Sequence, residues 1–210
     1  MAIKINLQET DSRLFCCSKW WGDPDMPADM AYPMIQGDDS EDYPLTFICQ
    51  IDCADLAEIC PDSKLPKEGM LYFFAALDEY MDFDVPYHNG LGRWRKDAVK
   101  VKYAKEINPE TFESYIMVDD QDESLTLPPM KMEFSPCGDA EDGIKLLGLP
   151  FSGDTRDSFP SHLNLLQIDS EDEALEGLRF YDCGLLNIML SERELDNGWW
   201  HSSFGVLSSL

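Results

Sequence analysis

The residues that could carry chemistry are few. Any Ser or Cys nucleophile would have to be served by His88, His162 or His201, and each stands in a polar or loop-like stretch rather than beside a candidate nucleophile. No Gly-x-Ser-x-Gly elbow, Gly-x-x-x-x-Gly-Lys loop or dinucleotide fingerprint is present, and Gly90-Leu91-Gly92 is too short to count as one. Cys49 and Cys53, with Cys60 and His88 downstream, form a loose thiol set but lack the Cys-x-x-Cys or His-x-x-x-His spacing of a zinc site. Asp119-Asp120-Gln121-Asp122-Glu123 lacks the central Gly and terminal Glu of a calcium loop. No cofactor and no metal are expected, and the residues show no reaction centre.

Two other groups are better binding candidates. Gln-Ile-Asp occurs twice, giving Gln50 and Asp52, then Gln167 and Asp169. A Gln at a strand end most often bonds neighbouring backbone. In the ligand reading, the four polar side chains would meet in a pocket. The second group is a basic run, Arg93, Arg95, Lys96, Lys100, Lys102 and Lys105, interleaved with Trp94 and Tyr103. It suits either an anionic ligand, with Arg93 and Arg95 at its head, or pairing with nearby carboxylates.

The elements that must position these residues are short. Leu45 to Cys49 and Met70 to Phe74 are apolar, aromatic and bounded by Pro or Gly, as buried strands are. Val99-Lys100-Val101-Lys102-Tyr103 alternates, which puts the valines and Tyr103 on one face. Helices are expected after Asp52, whose carboxylate can cap, and near Ser170, where Ser170-Glu171-Asp172-Glu173 reads as a capping box. Gly37 to Asp42, Asp119 to Glu123 and Asp139 to Asp142 read as solvated acidic loops, and Asn108 to Cys137 as an irregular connection.

Three signatures recur in order. Lys19-Trp20-Trp21-Gly22-Asp23-Pro24 is echoed by Lys145-Leu146-Leu147-Gly148-Leu149-Pro150, the Gln-Ile-Asp triplets follow, and Gly69 and Gly184 each open an apolar run. The expectation is an α+β, β-rich fold of mostly antiparallel sheets with few short helices. It would be one domain over residues 1–210, built from two internally repeated halves, roughly 15–105 and 140–207, with the candidate pocket between them.

Charge sorts the partners. With 16 Lys+Arg against 41 Asp+Glu the formal net charge is −25, so phosphate backbones and anionic membranes are repelled and a basic protein is attracted. The 44% hydrophobic content is enough for a real core. The seven cysteines lack disulfide-framework spacing and are expected to be free, with Cys49, Cys53 and Cys183 buried. No signal-like N-terminus and no membrane-length apolar run are visible, so the expected compartment is the cytoplasm.

The run Ser18 to Pro27, then Tyr32-Pro33, Pro44 to Asp52, Leu65-Pro66 and Gly69 to Phe74, resembles the YwqG-like family of bacterial proteins, a domain of unknown function. Lys145 to Pro150, Leu165 to Asp169 and the strand after Gly184 are similar to that family's second half. The resemblance implies a cytoplasmic α+β protein without an established enzyme activity. It also implies relatives found near polymorphic toxin systems as candidate immunity proteins. It carries over no catalytic residue. The expected function is an acidic binding protein, an immunity-type or regulatory partner of a basic, toxin-like protein. The alternative is a small-molecule binder or unrecognised hydrolase with its site at Gln50, Asp52, Gln167 and Asp169.

Overall fold

Continuous apolar runs, not amphipathic helices, build this molecule. The computed structural model describes residues 2–118 and 121–210. In chain order its strands are β1 (Ala2–Glu9), β2 (Lys19–Trp20), β3 (Asp25–Pro27), β4 (Met34–Gln36), β5 (Asp42–Pro44), β6 (Thr46–Asp52), β7 (Met70–Ala75), β8 (Gly92–Arg93), β9 (Val99–Ala104), β10 (Phe112–Ser114), β11 (Met130–Cys137), β12 (Lys145–Leu146), β13 (His162–Asp169), β14 (Gly184–Ser191) and β15 (Phe204–Ser209). The helices are α1 (Cys53–Ile59), α2 (Gly153–Ser158) and α3 (Glu192–Asp196). Strands β7 and β14 are buried almost end to end, so both of their faces need apolar residues, and Met70-Leu71-Tyr72-Phe73-Phe74 supplies them.

Eleven strands form one antiparallel sheet in the order β8-β15-β14-β13-β12-β1-β11-β2-β6-β7-β9. The N-terminal strand lies in its middle, paired along its whole length with β11 from Ala2↔Cys137 to Glu9↔Met130. The sheet curls until its ends meet. The Trp94 N–H continues the β8–β15 ladder by donating to the Gly205 carbonyl at 2.9 Å, and from the opposite edge strand β9 Val99 packs so close to Gly205 that a Cβ there would lie 2.8 Å from it. Because directly opposed residues share a face, the registers define two surfaces. Val101, Phe73, Cys49 and Trp20 point inward with Leu166 and Ile188. Tyr72, Gln50 and Lys19 point outward, as do Lys145, Gln167 and Asn187.

The expected α+β architecture of two repeated halves is corrected by this topology. The chain is mostly β, its longest α-helix has seven residues, and the strands form one continuous sheet rather than two separate sets. Helix α1 does begin where expected, with the Asp52 carboxylate accepting the Ala54 N–H at 2.9 Å. The helix expected near Ser170 is only a 3-10 turn, Glu173–Leu175, capped by Asp172. The Ser170 hydroxyl donates instead to the Gly184 carbonyl, and Gly177, at φ 98, breaks the chain direction two residues after the turn. The edge strand β9 alternates as expected, with Val99 and Val101 buried and its lysines half-buried.

Candidate functional site

Both lysine turns are built alike locally. Lys19 is paired with Gln50 and Lys145 with Gln167. Each strand then ends in two left-handed residues, Trp21 and Gly22 (φ 56 and 73) or Leu147 and Gly148 (φ 61 and 78). A left-handed tryptophan or leucine costs energy, so the surrounding contacts must hold it. The Trp21 N–H donates to the Ile48 carbonyl at 2.8 Å and that of Leu147 to Leu165 at 3.3 Å.

The four Gln and Asp candidates are held by local partners. Gln50 Oε1 accepts the Asp25 N–H at 2.7 Å, and its Nε2 donates to the Cys17 carbonyl and to Asp25 Oδ2. Gln167 Oε1 accepts the Phe151 N–H at 2.9 Å, and its Nε2 donates to the Gly143 and Glu141 carbonyls. Asp52 caps α1, and burial pushes its carboxyl above the ordinary range. Asp169 accepts from the Glu171 and Gly143 amides. Gln50 and Gln167 lie on strands separated by β2, β11, β1 and β12, about 24 Å apart along the sheet. The structure does not bring the four together.

The basic run is partly absorbed by its surroundings. Arg95 makes a two-pronged contact with Asp97 at 2.7 and 2.8 Å. The Arg93 guanidinium lies over the Phe204 ring, 3.9 Å from its centre, and Lys102 donates to the Ala31 carbonyl. Among the described residues no group of three or more His, Cys, Asp or Glu is placed to hold a metal ion. Cys49 and Cys53 are buried as expected, while Cys183 is only half-buried, a correction. Burial raises the thiols, to about 12 at Cys53 and about 11 at Cys16, so neither is an activated nucleophile near neutral pH.

The space that the molecule offers lies elsewhere. A cavity of about 200 Å³ opens beside the first lysine turn. Its floor is Trp21, Leu45 and Phe47, one side is Met81 and Phe83 behind the 3-10 turn Asp78–Met81, and its roof is Met117, Leu125 and Leu127. Polar atoms in this wall are few. The Asp78 carboxylate accepts the Thr46 hydroxyl at 2.6 Å and the Tyr87 hydroxyl at 2.9 Å. A second, more polar cavity of about 450 Å³ shares Gly22, Thr126 and Leu127 with the first and is bordered by Arg13, Asp23 and Ser124. A larger, polar depression of about 550 Å³ follows the Ser170–Asp182 loop.

The roof comes from the stretch Asn108 to Cys137, expected to be an irregular connection; that expectation is corrected, since Phe112–Ser114 and Met130–Cys137 are strands, and the irregular part is only what lies between them. An isolated bridge joins Val118 to Ser124, and the Leu125 N–H donates to the Met117 carbonyl at 3.0 Å. Leu125 is 57% exposed and Phe83 55%, so the mouth itself is apolar. The signal available in the sequence was Met117 on one side of the acidic run and the alternating Leu125 and Leu127 on the other. Of that run, Asp119 and Asp120 lie outside the described residues. Among the described residues no helix is long and apolar enough to cross a membrane.

Among curated proteins nothing matches this chain. The model of the family described as a domain of unknown function, DUF1963, matches residues 18 to 204, which hold both lysine turns and the whole lining of the apolar cavity: the chain belongs to that family.

Proposed function

We propose that the protein acts by binding, that its partner is a basic protein, and that within its family it is a YwqG-like, immunity-type or regulatory member. The observation that carries this reading is the apolar cavity beneath Leu125 and Leu127 in a chain of net charge −25. Exposed apolar side chains around a desolvated pocket are the anatomy of an interface anchor, and a strong negative field steers a cationic partner toward it. Basic toxins that attack nucleic acid present the surface such a field favours. The small-molecule alternative at Gln50, Asp52, Gln167 and Asp169 has less support, because local hydrogen bonds already occupy those groups.

Affinity capture from the native host at low salt, run beside a Leu125→Asp variant, tests the reading. The expected result is a basic protein retained by the wild type, lost at high salt and lost by the variant. A basic protein held equally by both chains would contradict the cavity's role. Retention of no basic protein would contradict the reading as a whole.

A further inference from the structure

The cavity is not uniformly apolar, and its one carboxylate has a particular setting. Asp78 opens the 3-10 turn Asp78–Met81, and each of its oxygens accepts one hydroxyl, Thr46 Oγ1 at 2.6 Å and Tyr87 at 2.9 Å. Those two hydroxyls fix the carboxylate's orientation and supply hydrogen bonds but no positive charge. A carboxylate oxygen has room for a further donor. The salt bridges found among the described residues do not include Asp78. Around it the lining is mostly apolar, with Trp21, Leu45, Phe47, Met81 and Leu127 among the walls and Phe83 at the mouth, and Thr126 is a further polar residue in it.

Apolar walls leading to an aimed anion match one kind of side chain, an alkyl stem that ends in a cation. Lysine and arginine stems pack along apolar surface while the charged head seeks a partner, and aromatic rings beside the path favour the cation further. A cavity of about 150 Å³ holds a benzene-sized group, so about 200 Å³ accommodates such a stem. We propose that this cavity receives a single lysine or arginine side chain of the partner, its stem against Trp21, Phe47 and Leu127 and its cation at Asp78. The inference rests on the basic-partner reading for the identity of the chain that carries the side chain. It makes the pocket the site where charge steering becomes specific contact.

Small probes test the pocket without any partner. Titration of the protein with n-butylammonium and with the neutral 1-pentanol, followed by amide NMR shifts, is expected to move Trp21, Thr46, Asp78 and Leu127, with the cation binding at least tenfold more tightly. Asp78→Asn, which keeps the shape and one acceptor oxygen, is expected to erase that preference. Phe83→Ala, a change at an exposed position that leaves the fold intact, is expected to weaken both probes alike. Equal binding of the cation and the alcohol to the wild type, or a preference that survives Asp78→Asn, would overturn the proposal whether or not a basic protein is captured. A cation preference that depends on Asp78 supports the proposal even if capture fails, in which case only the partner reading falls.

Discussion

The turns at Lys19–Pro24 and Lys145–Pro150 present the same backbone problem with different solutions. In both, the residue six positions after the lysine donates its N–H to the opposed glutamine, Asp25 to Gln50 and Phe151 to Gln167. In the first turn that residue carries a carboxylate. Lys19 Nζ meets Asp25 Oδ2 at 2.8 Å, and Asp25 also accepts from Cys16 N, Gln50 Nε2 and Ser114 Oγ. In the second it is a phenylalanine with no charge to offer. Lys145 Nζ donates instead to three backbone carbonyls, of Asp139, Glu141 and Leu149, at 2.5 to 3.0 Å, and burial pushes its amine below the ordinary lysine range. The backbone pattern follows from Lys, Gly and Pro, whereas the way each buried charge is balanced follows from one variable position. Only the first turn also forms walls of the paired cavities, through Trp21 and Gly22.

Removing the cations should separate the turns most widely. Lys19→Met leaves Asp25 buried without its counter-charge, and chemical denaturation is expected to show a loss of about 3–5 kcal/mol. Removing the carboxylate as well, in Lys19→Met/Asp25→Leu, is expected to recover part of that loss. For Lys145→Met the expected loss is smaller, about 2–3 kcal/mol, because neutral carbonyls rather than an ion lose their donor. A Lys145 variant less stable than the Lys19 variant would invert the comparison.

The glycines sharpen it next. Both are left-handed, but a Cβ on Gly148 would sit 2.5 Å from the Asp139 carbonyl oxygen, while one on Gly22 would meet the Pro129 ring at 2.9 Å. A proline on a loop yields more easily than a carbonyl whose partner is the buried Lys145 amine. Gly148→Ala is therefore expected to lower stability by about 2–3 kcal/mol and Gly22→Ala by about 1–2 kcal/mol. Equal losses in thermal melts would show that the left-handed backbone, not the neighbour, sets both.

Alkali should distinguish the regions too. The buried thiols Cys49 and Cys53 lie on the first turn's side of the sheet and are raised by burial, Cys53 from 9.0 to about 12. A group raised in the folded state contributes stability that is complete below its unfolded value and lost as pH climbs toward the folded one. Between pH 9 and 12 Cys53 alone should therefore cost about 1.4 kcal/mol per pH unit. Comparison of Cys53→Ala with the wild type across that range should show the mutant losing less stability with each unit. Parallel curves would remove the thiol from the explanation.

The smallest effect is expected where the second region carries amides. Asn164 occupies the register position opposite Met189 and Asn187 that opposite Gln167. Both are fully buried, with side-chain atoms that find no hydrogen-bond partner in the protein. Phe47 opposite Phe74 and Tyr72 opposite Gln50 fill the matching places in the first region. Asn187→Leu should be neutral or stabilising by about 1 kcal/mol. A loss above that amount would mean that the amide is held by something polar.

Much of the frame was legible. Apolar runs announced β6 and β7, the alternation of valine and lysine announced β9, and Asp52 announced its helix cap. The curling of the sheet into one surface was not legible, because β1 and β11 pair across more than 120 residues and no local signal reports a partner so distant. The echoes between the two lysine turns were read as a plan for the whole fold, yet in the structure they specify local stations. The cavity was missed because its floor joins the end of β2 to the start of β6, its side follows β7 and its roof follows β10, each unremarkable alone. For Gln50 and Gln167 the reading that a strand-end glutamine bonds neighbouring backbone stood beside the ligand reading, and their partners are backbone groups 16 to 33 positions away together with the Asp25 carboxylate.

The central claim, that binding is centred on the first turn and not the second, is tested most directly by hydrogen exchange on the complex retained at low salt. The account predicts slowed exchange at Trp21 and Gly22, across 78–83 and 124–127, with 145–150 unchanged. Protection confined to 145–159 and Arg93, with the cavity segments exchanging as in the free protein, would contradict it.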